Sequence, residues 1–367
     1  MKICILAGEK SGDNYGSLLC RNFKELKPDI FIFGTGGERM EKEGVNLIKG
    51  MPFGQMGFSG VIKKIFSYIS FLKKIIKEIE RQNPDIIIFI DNPGFNLEIA
   101  KRLKKKFKTF YYIPPKIWAH NYKRIKILKK YVDFVIPIFP FECEIYKKEN
   151  IPYFYFGHPF VDLIKEKDIQ ETTVKNKKIK IGICPGSRKE EIIYNLPIIK
   201  KIVEDLNKKI NLEVLISLSD ESFRRDIEKI LKGTDFLYKI TDQLYWLIEN
   251  SDVICAVSGT VNLEVAYFEK PIIVFYKTSF FNYLFAKLVV KLNIISPVNI
   301  ILGEKIVPEY IQNFKIEEAE KDIIDLIERK DLYNKEIIGF KKMKDMLKEK
   351  NVSRAIAEFI IKGVKIC

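Results

Sequence analysis

Short apolar runs alternate along the chain with segments of helical periodicity. Runs of strand length, rich in β-branched and aromatic residues, occupy positions 2–7, 30–34, 86–90, 109–113, 134–139 and 153–156. After a polar interval the alternation restarts, with strand-like runs at 179–184, 212–218, 253–257 and 272–276. Such alternation is typical of βαβ units built around a parallel sheet. The pattern therefore predicts two α/β domains in tandem.

The boundary between the domains follows from the polar interval. Residues 165–178 are charged and have little to bury, which is typical of an interdomain linker. We place an N-terminal domain at 1–168 and a second domain at 169–340, and the 367 residues suffice for two separate cores. The lysine-rich end has helical apolar spacing, so we expect C-terminal helices, with 341–367 able to return to the N-terminal domain.

Residues 58–79 form an amphipathic helical pattern that admits two interpretations. One face carries apolar residues, namely Phe58, Ile62, Ile65, Ile69, Leu72, Ile76 and Ile79, and the opposite face carries Lys63, Lys73, Lys74 and Lys77. A helix of this kind either buries its apolar face in the core with its lysines in solvent, or lies on an anionic membrane surface. Both interpretations stay open at this point.

Composition narrows the class of protein. A hydrophobic fraction of 47% with 30% charged residues is typical of a globular chain, and no apolar run has the length of a membrane span. The N-terminal apolar run is too short for a signal peptide, so we expect a cytoplasmic protein. Six scattered cysteines and two histidines do not form a zinc-binding pattern.

The net charge of +15 indicates an anionic partner, either nucleic acid, a phosphorylated substrate or anionic lipid, although a lysine-rich solvated surface is the simpler explanation. No nucleic-acid-binding motif is present in the sequence, so we do not expect nucleic acid as a partner.

The segment "ICPGSRKEEI", residues 183–192, has the layout of an anion site. Gly186 permits a tight turn after a buried strand, Ser187 can cap the next helix, and Arg188 offers a fork of donors to phosphate oxygens. A capping box formed by Ser187 and Glu190 would explain the serine and glutamate without any ligand. It would not explain Arg188, because a cation at a helix start opposes the macrodipole unless an anion lies between them.

A second junction of this type occurs in "DVICAVSGTVNLEVA", residues 252–266. A buried strand leads into Ser258, Gly259 and Thr260 and then into a helix that carries Glu264. Two anion-suited helix starts in one domain indicate a diphosphate with a further group attached. Glu264 either accepts hydrogen bonds from ribose hydroxyls or is an ordinary helical glutamate.

Asp91 follows the predicted strand 86–90 and is either a general base or the first residue of an Asp-Asn-Pro-Gly turn. The glycine loops at 7–16 and 34–39 do not match the dinucleotide-binding fingerprint. The chain also lacks a Walker A sequence and an Asp-x-Asp pair. We therefore expect neither a cofactor nor a bound metal.

Taken in order, several segments resemble the lipid-A-disaccharide synthases, which are inverting glycosyltransferases. The matching text is "AGEKSGDNYG", "GTGGERMEKEGV", "MGFSGV", "IDNPGFN", "IPPKIWAH", "PFE", "FGHPFVD", "PGSRKEEI", "SGTVNLE" and "PVNIILGEKIVPEYIQ". The resemblance implies a GT-B fold, with two Rossmann-like domains facing across a cleft and C-terminal helices. It implies transfer of diacylglucosamine from UDP-2,3-diacylglucosamine to 2,3-diacylglucosamine 1-phosphate, with release of UDP and without a metal.

The resemblance also implies roles for particular residues. Asp91 matches the family's essential aspartate and would be the catalytic base. The residues implied to contact the UDP-sugar are Ser187, Arg188, Ser258, Gly259, Thr260, Glu264, Asn299 and Gln312, and those implied on the acceptor side are Ser11, Gly12 and Asn96. This chain departs from the family at Gly94, where the family usually carries a second acid.

The implied partners are the two acylated substrates and the anionic surface of the inner membrane, on which the protein would be peripheral. A homodimer is left open. The alternative is another UDP-sugar enzyme on the same fold, such as an epimerase or a transferase to a non-acylated acceptor.

Overall fold

The computed structural model describes residues 1–48, 61–119, 121–165, 178–279, 294–347 and 351–363, and for residues 61–67 and 165 it describes the backbone alone. The chain divides into two compact units, one made of Met1–Glu166 with Leu347–Cys367 and the other of Lys167–Met346. Residues 166–177 of the predicted linker lie outside the described part of the chain.

The first unit contains a parallel sheet with the strand order β3-β2-β1-β4-β5-β6. The strands are β1 (Lys2–Ala7), β2 (Phe31–Thr35), β3 (Asn46–Leu47), β4 (Ile86–Ile90), β5 (Lys108–Tyr112) and β6 (Phe134–Ile136). The central strand β4, with the sequence IIIFI, is buried along its whole length, as expected for a parallel strand covered on both faces.

The helices of this unit connect and cover the strands. They are α1 (Lys10–Leu26), α2 (Glu38–Lys42), α3 (Val61–Gln82), α4 (Pro93–Leu103), α5 (Ile125–Tyr131), α6 (Glu142–Lys148) and α7 (Phe160–Lys165), with a 3₁₀ turn at Tyr122–Arg124. Pro93 begins α4, where a missing N–H costs no helical hydrogen bond.

The second unit repeats the same architecture. Its sheet has the order β12-β11-β10-β7-β8-β9, with β7 (Ile179–Cys184), β8 (Leu212–Ser217), β9 (Leu237–Thr241), β10 (Val253–Val257), β11 (Ile272–Tyr276) and β12 (Glu309–Ile311). Its helices are α8 (Lys189–Asn207), α9 (Arg224–Leu231), α10 (Leu244–Glu249), α11 (Val261–Tyr267), α12 (Pro297–Leu302), α13 (Ile316–Ile327) and α14 (Asp331–Leu347), with a 3₁₀ turn at Glu221–Phe223. Both units are thus Rossmann-like, and two such units are the domains of a GT-B fold.

The last helix, α15 (Val352–Gly363), belongs to the first unit. Asp162 caps its start by accepting hydrogen bonds from the backbone N–H groups of Val352 at 3.1 Å and Ser353 at 2.7 Å. Phe359 on the same helix packs 4.1 Å, between ring centroids, from Phe154. The strand predicted at 153–156 is wrong, because Tyr153 forms only an isolated bridge with Val135. The side chains of Phe154 and Phe156 pack against Phe359 of α15 instead.

The buried face of helix α3 includes Leu72 and Ile79, as the sequence pattern predicts, but is rotated away from Ile69. Phe71, Leu72, Ile75 and Ile79 are all less than 10% exposed, whereas Ile69 is 39% exposed and its predicted burial is wrong. The reason is the contact with α4, since Phe71 stacks on Phe95 with ring centroids 5.8 Å apart. The predicted exposure of Lys73, Lys74 and Lys77 is confirmed.

Candidate functional site

The strand order of each unit defines where a ligand can bind. In an open parallel sheet the ligand crevice lies outside the carboxyl ends of the strands, where the strand order reverses direction. In the first unit this point lies between β1 and β4, which pair through Ala7 and Ile90. In the second unit it lies between β7 and β10, which pair through Cys184 and Ala256. The segments "AGEKSGD" and "DNPGFN" leave the first point, and "PGSR" and "SGT" leave the second.

The glycines of the first unit allow its loops to pack closely at this edge. A Cβ atom at Gly8 would lie 2.0 Å from Nδ2 of Asn92, so the loop after β1 contacts the loop after β4 directly. Thr35, at the end of β2, donates its hydroxyl to the carbonyl of Ala7 at 2.9 Å. Gly8 therefore serves close packing between the loops after β1 and β4.

Asp13 fixes the loop after β2. Its buried carboxylate accepts hydrogen bonds from the backbone N–H groups of Gly37 at 2.8 Å, Arg39 at 3.1 Å and Met40 at 3.0 Å. These groups form the start of α2, so Asp13 caps that helix from α1. No local pattern indicates this role, because the aspartate and the helix that it caps are separated by more than twenty residues.

Asp91 lies at the carboxyl end of β4 and has a constrained backbone. Asp91 and Asn92 have φ values of 47° and 42°, in the left-handed region that favours glycine. The Asp91 N–H donates to the carbonyl of Tyr112 at 3.1 Å. Its carbonyl accepts from the Tyr111 hydroxyl at 2.7 Å and from Nδ2 of Asn96 at 2.9 Å. The side chain of Asp91 is partly exposed, whereas its backbone N–H and carbonyl are both fixed by hydrogen bonds.

The residues expected on the acceptor side differ in exposure. Ser11 is half-buried in the first turn of α1. Gly12 is buried, and a Cβ atom there would lie 3.4 Å from Cβ of Ala7. Asn96 is 1% exposed, and its amide donates to the carbonyls of Leu6 and Ile90, each at 3.2 Å, besides that of Asp91. Asn96 therefore joins β1, β4 and the Asp91 turn, which is a different role from direct contact with a ligand.

Two of the resembling segments, "IPPKIWAH" and "PFE", are joined by Glu142. Its carboxylate accepts hydrogen bonds from Nε1 of Trp118 at 2.9 Å and from the backbone N–H groups of Ile138 at 3.2 Å and Phe139 at 3.1 Å. Burial nevertheless raises the pKa of Glu142 to about 7. Its donors lie 3 to 24 residues away, so the periodicity of the chain does not reveal these contacts.

His158 lies among aromatic rings, with Phe160 4.9 Å and Phe139 5.5 Å from it between ring centroids. Burial lowers the pKa of His158 to about 3, so the imidazole is neutral at physiological pH. Its Nδ1 accepts a hydrogen bond from the backbone N–H of Phe160 at 3.2 Å. These contacts give His158 a structural part in the core of the first unit.

In the second unit the loop after β7 is shaped by Gly186 and Glu191. Gly186 has a φ of +119°, and a Cβ atom there would lie 2.5 Å from Cβ of Glu191, so a side chain fits neither the backbone nor the space. The Glu191 carboxylate accepts a hydrogen bond from the N–H of Ser187 at 2.9 Å. The proposed capping box of Ser187 and Glu190 is wrong, because α8 begins at Lys189 and its N-cap is Arg188.

Arg188 occupies the N-cap position of a helix of 19 residues. Its side chain is 70% exposed, and Nη1 lies 3.6 Å from Oε1 of Glu191. The first N–H groups of a helix and a guanidinium at the same point attract an anion.

The loop after β10 lies beside this one in the sheet. The Ser258 hydroxyl donates to the carbonyl of Ile295 at 2.7 Å, and the N–H of Gly259 donates to Oδ1 of Asn262 at 3.1 Å. Thr260 is exposed at the N-cap of α11 and makes no side-chain capping bond. Glu264 accepts a hydrogen bond from the Tyr245 hydroxyl at 3.1 Å, so the carboxylate is already oriented by a neighbour.

Asn299 is completely buried, unlike the other residues of this set. Its amide donates to the carbonyl of Val307 and to Glu309, and its Oδ1 accepts from the N–H groups of Ile306 and Val307, all at 2.8 Å. Each polar atom of the side chain is thus used inside the protein, which contrasts with the direct ligand contact that the resemblance implies.

Gln312 directly follows β12 and is half-buried, with a φ of 58°. Its side chain exchanges two hydrogen bonds of 3.2 Å with the backbone of Thr278. The edge of the second sheet therefore brings together the loops of Arg188, Ser258 and Gln312, and Asn299 supports the chain leading into β12.

The described residues contain neither a membrane-spanning helix nor a metal-binding cluster. No helix in this part of the chain is long and apolar enough to cross a membrane. Among the same residues, no group of three or more histidines, cysteines, aspartates or glutamates is arranged to hold a metal ion.

Comparison with known sequences gives a consistent match along the whole chain. Residues 3–361 match the family model described as lipid-A-disaccharide synthetase. A lipid-A-disaccharide synthase of Trichlorobacter lovleyi is 33% identical over 320 residues, covering 85% of this chain and 84% of that protein. A lipid-A-disaccharide synthase of Coxiella burnetii is 28% identical over 371 residues, covering 98% and 97%.

Solved structures share the fold at low sequence identity. The UDP-GlcNAc 2-epimerase of Neisseria meningitidis bound to UDP-GlcNAc has a TM-score of 0.63 at 13% identity, covering 99% of this chain and 100% of that one. MurG of Acinetobacter baumannii has a TM-score of 0.56 at 10% identity, covering 98% and 99%. At these identities the likeness shows the fold alone.

Proposed function

The chain belongs to the lipid-A-disaccharide synthase family, and on that premise we propose that it joins UDP-2,3-diacylglucosamine to 2,3-diacylglucosamine 1-phosphate. As a member of this family it is a glycosyltransferase of lipid A biosynthesis. The products of the proposed reaction are the lipid A disaccharide 1-phosphate and UDP. The observation that carries the proposal is the family match over residues 3–361, which includes both sheet edges with their loops.

Asp91 is proposed as the general base on the acceptor side. It removes the proton of the acceptor hydroxyl as that oxygen attacks the anomeric carbon of the donor sugar. One carbon–oxygen bond forms while the bond to the UDP oxygen breaks, so the configuration at the carbon inverts. The held backbone of Asp91 supports this role, since a base acts efficiently only when its geometry is fixed before reaction.

The leaving UDP is proposed to bind at the carboxyl edge of the second sheet. Arg188 and the N-terminus of α8 would neutralise the negative charge that develops on the diphosphate, without a metal. Thr260 would contribute a further donor from the loop after β10, in which the Ser258 hydroxyl and the Gly259 N–H donate within the protein. Glu264 would accept hydrogen bonds from ribose hydroxyls, and its hydrogen bond with Tyr245 supports a fixed orientation for that purpose.

Asn299 and Gln312 take different parts in this proposal. Gln312 is half-buried at the sheet edge and can reach a ligand. Asn299 is buried, and all of its side-chain polar atoms are hydrogen-bonded within the protein. We propose that it fixes the segment before β12 and thereby the position of Gln312. On the acceptor side Asn96 acts in a similar way on Asp91, while Ser11 remains the candidate for direct contact.

Peripheral contact with the anionic surface of the inner membrane is proposed through α3. Its lysines Lys73, Lys74 and Lys77 are exposed together on one side of the helix, and Ile69 is 39% exposed near them. A basic helix with an apolar residue at its edge suits an anionic lipid surface. Such contact would bring the enzyme to substrates that are themselves acylated.

A mass-spectrometric assay tests the proposed reaction. Purified protein is incubated with both acylated substrates, and the disaccharide 1-phosphate and UDP are expected in equal amounts. The alternative of a non-acylated acceptor is tested in parallel with glucosamine 1-phosphate, and that of an epimerase with UDP-GlcNAc alone. Product from either of these instead of the acylated pair would overturn the proposal.

A further inference from the structure

The carbonyl of Asp91 accepts two side-chain hydrogen bonds, and the donor of the shorter bond is a buried tyrosine. Tyr111 lies on β5 with its ring completely buried, and its hydroxyl reaches the Asp91 carbonyl at 2.7 Å. The second donor is Nδ2 of Asn96 at 2.9 Å. Two donors on one carbonyl fix the orientation of that peptide group.

The orientation matters because the turn is strained. Asp91 and the following Asn92 both have positive φ, at 47° and 42°. A single left-handed residue other than glycine persists only when its surroundings hold it, although Asp and Asn tolerate this region better than most residues. Without the hydroxyl of Tyr111, one of the contacts that oppose relaxation of this turn is lost.

We infer that Tyr111 is a positioning residue for the proposed reaction, acting through the backbone of Asp91 to hold the carboxylate where it meets the acceptor hydroxyl. This inference rests on the proposed role of Asp91 as the base. Tyr111 itself touches no reacting atom, since its hydroxyl is engaged with the Asp91 carbonyl inside the protein.

The neighbouring Tyr112 provides a matched control. It lies on the same strand and is equally buried, but its side chain points to the opposite face of the sheet. There its hydroxyl is buried and has no hydrogen-bond partner among the described residues. Tyr111→Phe and Tyr112→Phe therefore each remove one buried hydroxyl group from β5. Only Tyr111→Phe removes a side-chain contact with Asp91.

The experiment measures kcat and KM for both substrates in the wild type, Tyr111→Phe, Tyr112→Phe and Asp91→Asn. We expect Tyr111→Phe to lower kcat on the order of tenfold, since misplacing a catalytic group acts on turnover. Both KM values should stay within about twofold, because no substrate contact is removed. Tyr112→Phe should keep nearly the wild-type kcat.

A double variant separates positioning from general stabilisation. If Tyr111 acts through Asp91, adding Tyr111→Phe to Asp91→Asn should lower single-turnover rates by less than about twofold, because the coupled residue is already gone. An undiminished tenfold loss in the double variant would overturn the inference, as would equal kcat values for Tyr111→Phe and Tyr112→Phe. Both of these outcomes leave the proposed function intact if Asp91→Asn alone is strongly impaired. Full activity of Asp91→Asn would overturn the proposed base and the inference together.

Discussion

The carboxylate of Glu191 accepts a hydrogen bond from the N–H of Ser187 at 2.9 Å, beside the guanidinium of Arg188 at 3.6 Å. Both donors belong to the loop that is proposed to bind the diphosphate of UDP. A carboxylate of the protein thus lies at the helix start where the diphosphate is proposed to bind. The diphosphate has to compete with Glu191 for the same donors, or bind beside a like charge.

Replacing Glu191 by glutamine is predicted to tighten UDP binding. The amide oxygen can still accept the hydrogen bond of Ser187, but the repulsion between carboxylate and diphosphate is removed. We expect an affinity gain of about fivefold, since a partly exposed ion pair contributes up to about 1 kcal/mol. Isothermal titration calorimetry with UDP measures the change.

The matched control for this prediction is Glu190→Gln, which removes the same charge from the adjacent, exposed position. Its UDP affinity should change by less than about twofold, because screening weakens the effect of an exposed charge. Weaker binding in Glu191→Gln than in Glu190→Gln would show that the carboxylate supports the bound state instead of competing with it.

Glu142 is predicted to make stability depend on pH. Burial raises its pKa from the ordinary value of 4.5 to about 7. Between these pH values the folded protein keeps a proton that the unfolded chain has released, so the free energy of unfolding falls as the pH rises from about 4.5 to 7. The loss amounts to at most about 3 kcal/mol, at 1.36 kcal/mol per pKa unit.

This prediction can be measured within the first unit. The chain has two tryptophans, and in a Trp246→Phe background Trp118, which donates to Glu142, is the sole indole reporter. Urea unfolding is followed at pH 5 and pH 8 with and without Glu142→Gln. The stability of the protein with Glu142 should fall relative to the glutamine variant at the higher pH. A difference that does not vary with pH contradicts the assignment.

Asn299 is predicted to stabilise the folded protein. Asn299→Ala leaves the N–H of Val307 without the acceptor that it has at 2.8 Å, while the N–H of Ile306 keeps its bond to the carbonyl of Glu304 at 3.1 Å. A buried donor without a partner costs about 1–3 kcal/mol, so we expect a loss in that range. Calorimetric melting measures it, with Gln312→Ala as the comparison, whose two bonds of 3.2 Å are half-exposed. An equal or smaller loss in Asn299→Ala contradicts the buried role.

The lysines of α3 are predicted to contribute to membrane binding. Changing Lys73, Lys74 and Lys77 to glutamate should lower affinity for vesicles containing phosphatidylglycerol on the order of 100-fold or more, at about 1 kcal/mol per lysine near the surface. Vesicle sedimentation measures the change, with neutral phosphatidylcholine vesicles as the lipid control. The protein control changes the exposed Lys123, Lys126 and Lys129, in the same unit, to glutamate. Equal losses in both triple variants would mean that net charge alone drives binding.

Much of the fold could be predicted from the sequence because parallel strands are continuous apolar runs. The strand LYKIT at β9 was missed because it lies at a sheet edge, where Leu237 is 66% exposed and the pattern is not that of a buried strand. The aromatic run at 153–156 has strand composition, but its rings pack on Phe359 from the other end of the chain. No local pattern carries that information.

The candidate site shows the same limit. Asp91 and Arg188 could be picked out because each follows a strand with an abrupt change of polarity. Glu191 could not be separated from Glu190, since a shift of one residue in the helix start decides which carboxylate turns back to the loop. Tyr111, Asp13 and Glu142 act through contacts between distant segments, and in the sequence they are ordinary core or helix residues.

The most direct test of Asp91 as the base compares the wild type with Asp91→Asn in the disaccharide assay, with EDTA present and both acylated substrates saturating. We expect full wild-type activity in EDTA, and a loss of about 10²–10⁴-fold in the variant, which is typical for removal of a general base. UDP affinity of the variant should stay within about twofold of the wild type. Turnover of Asp91→Asn within about tenfold of the wild type would contradict the assignment of Asp91 as the base.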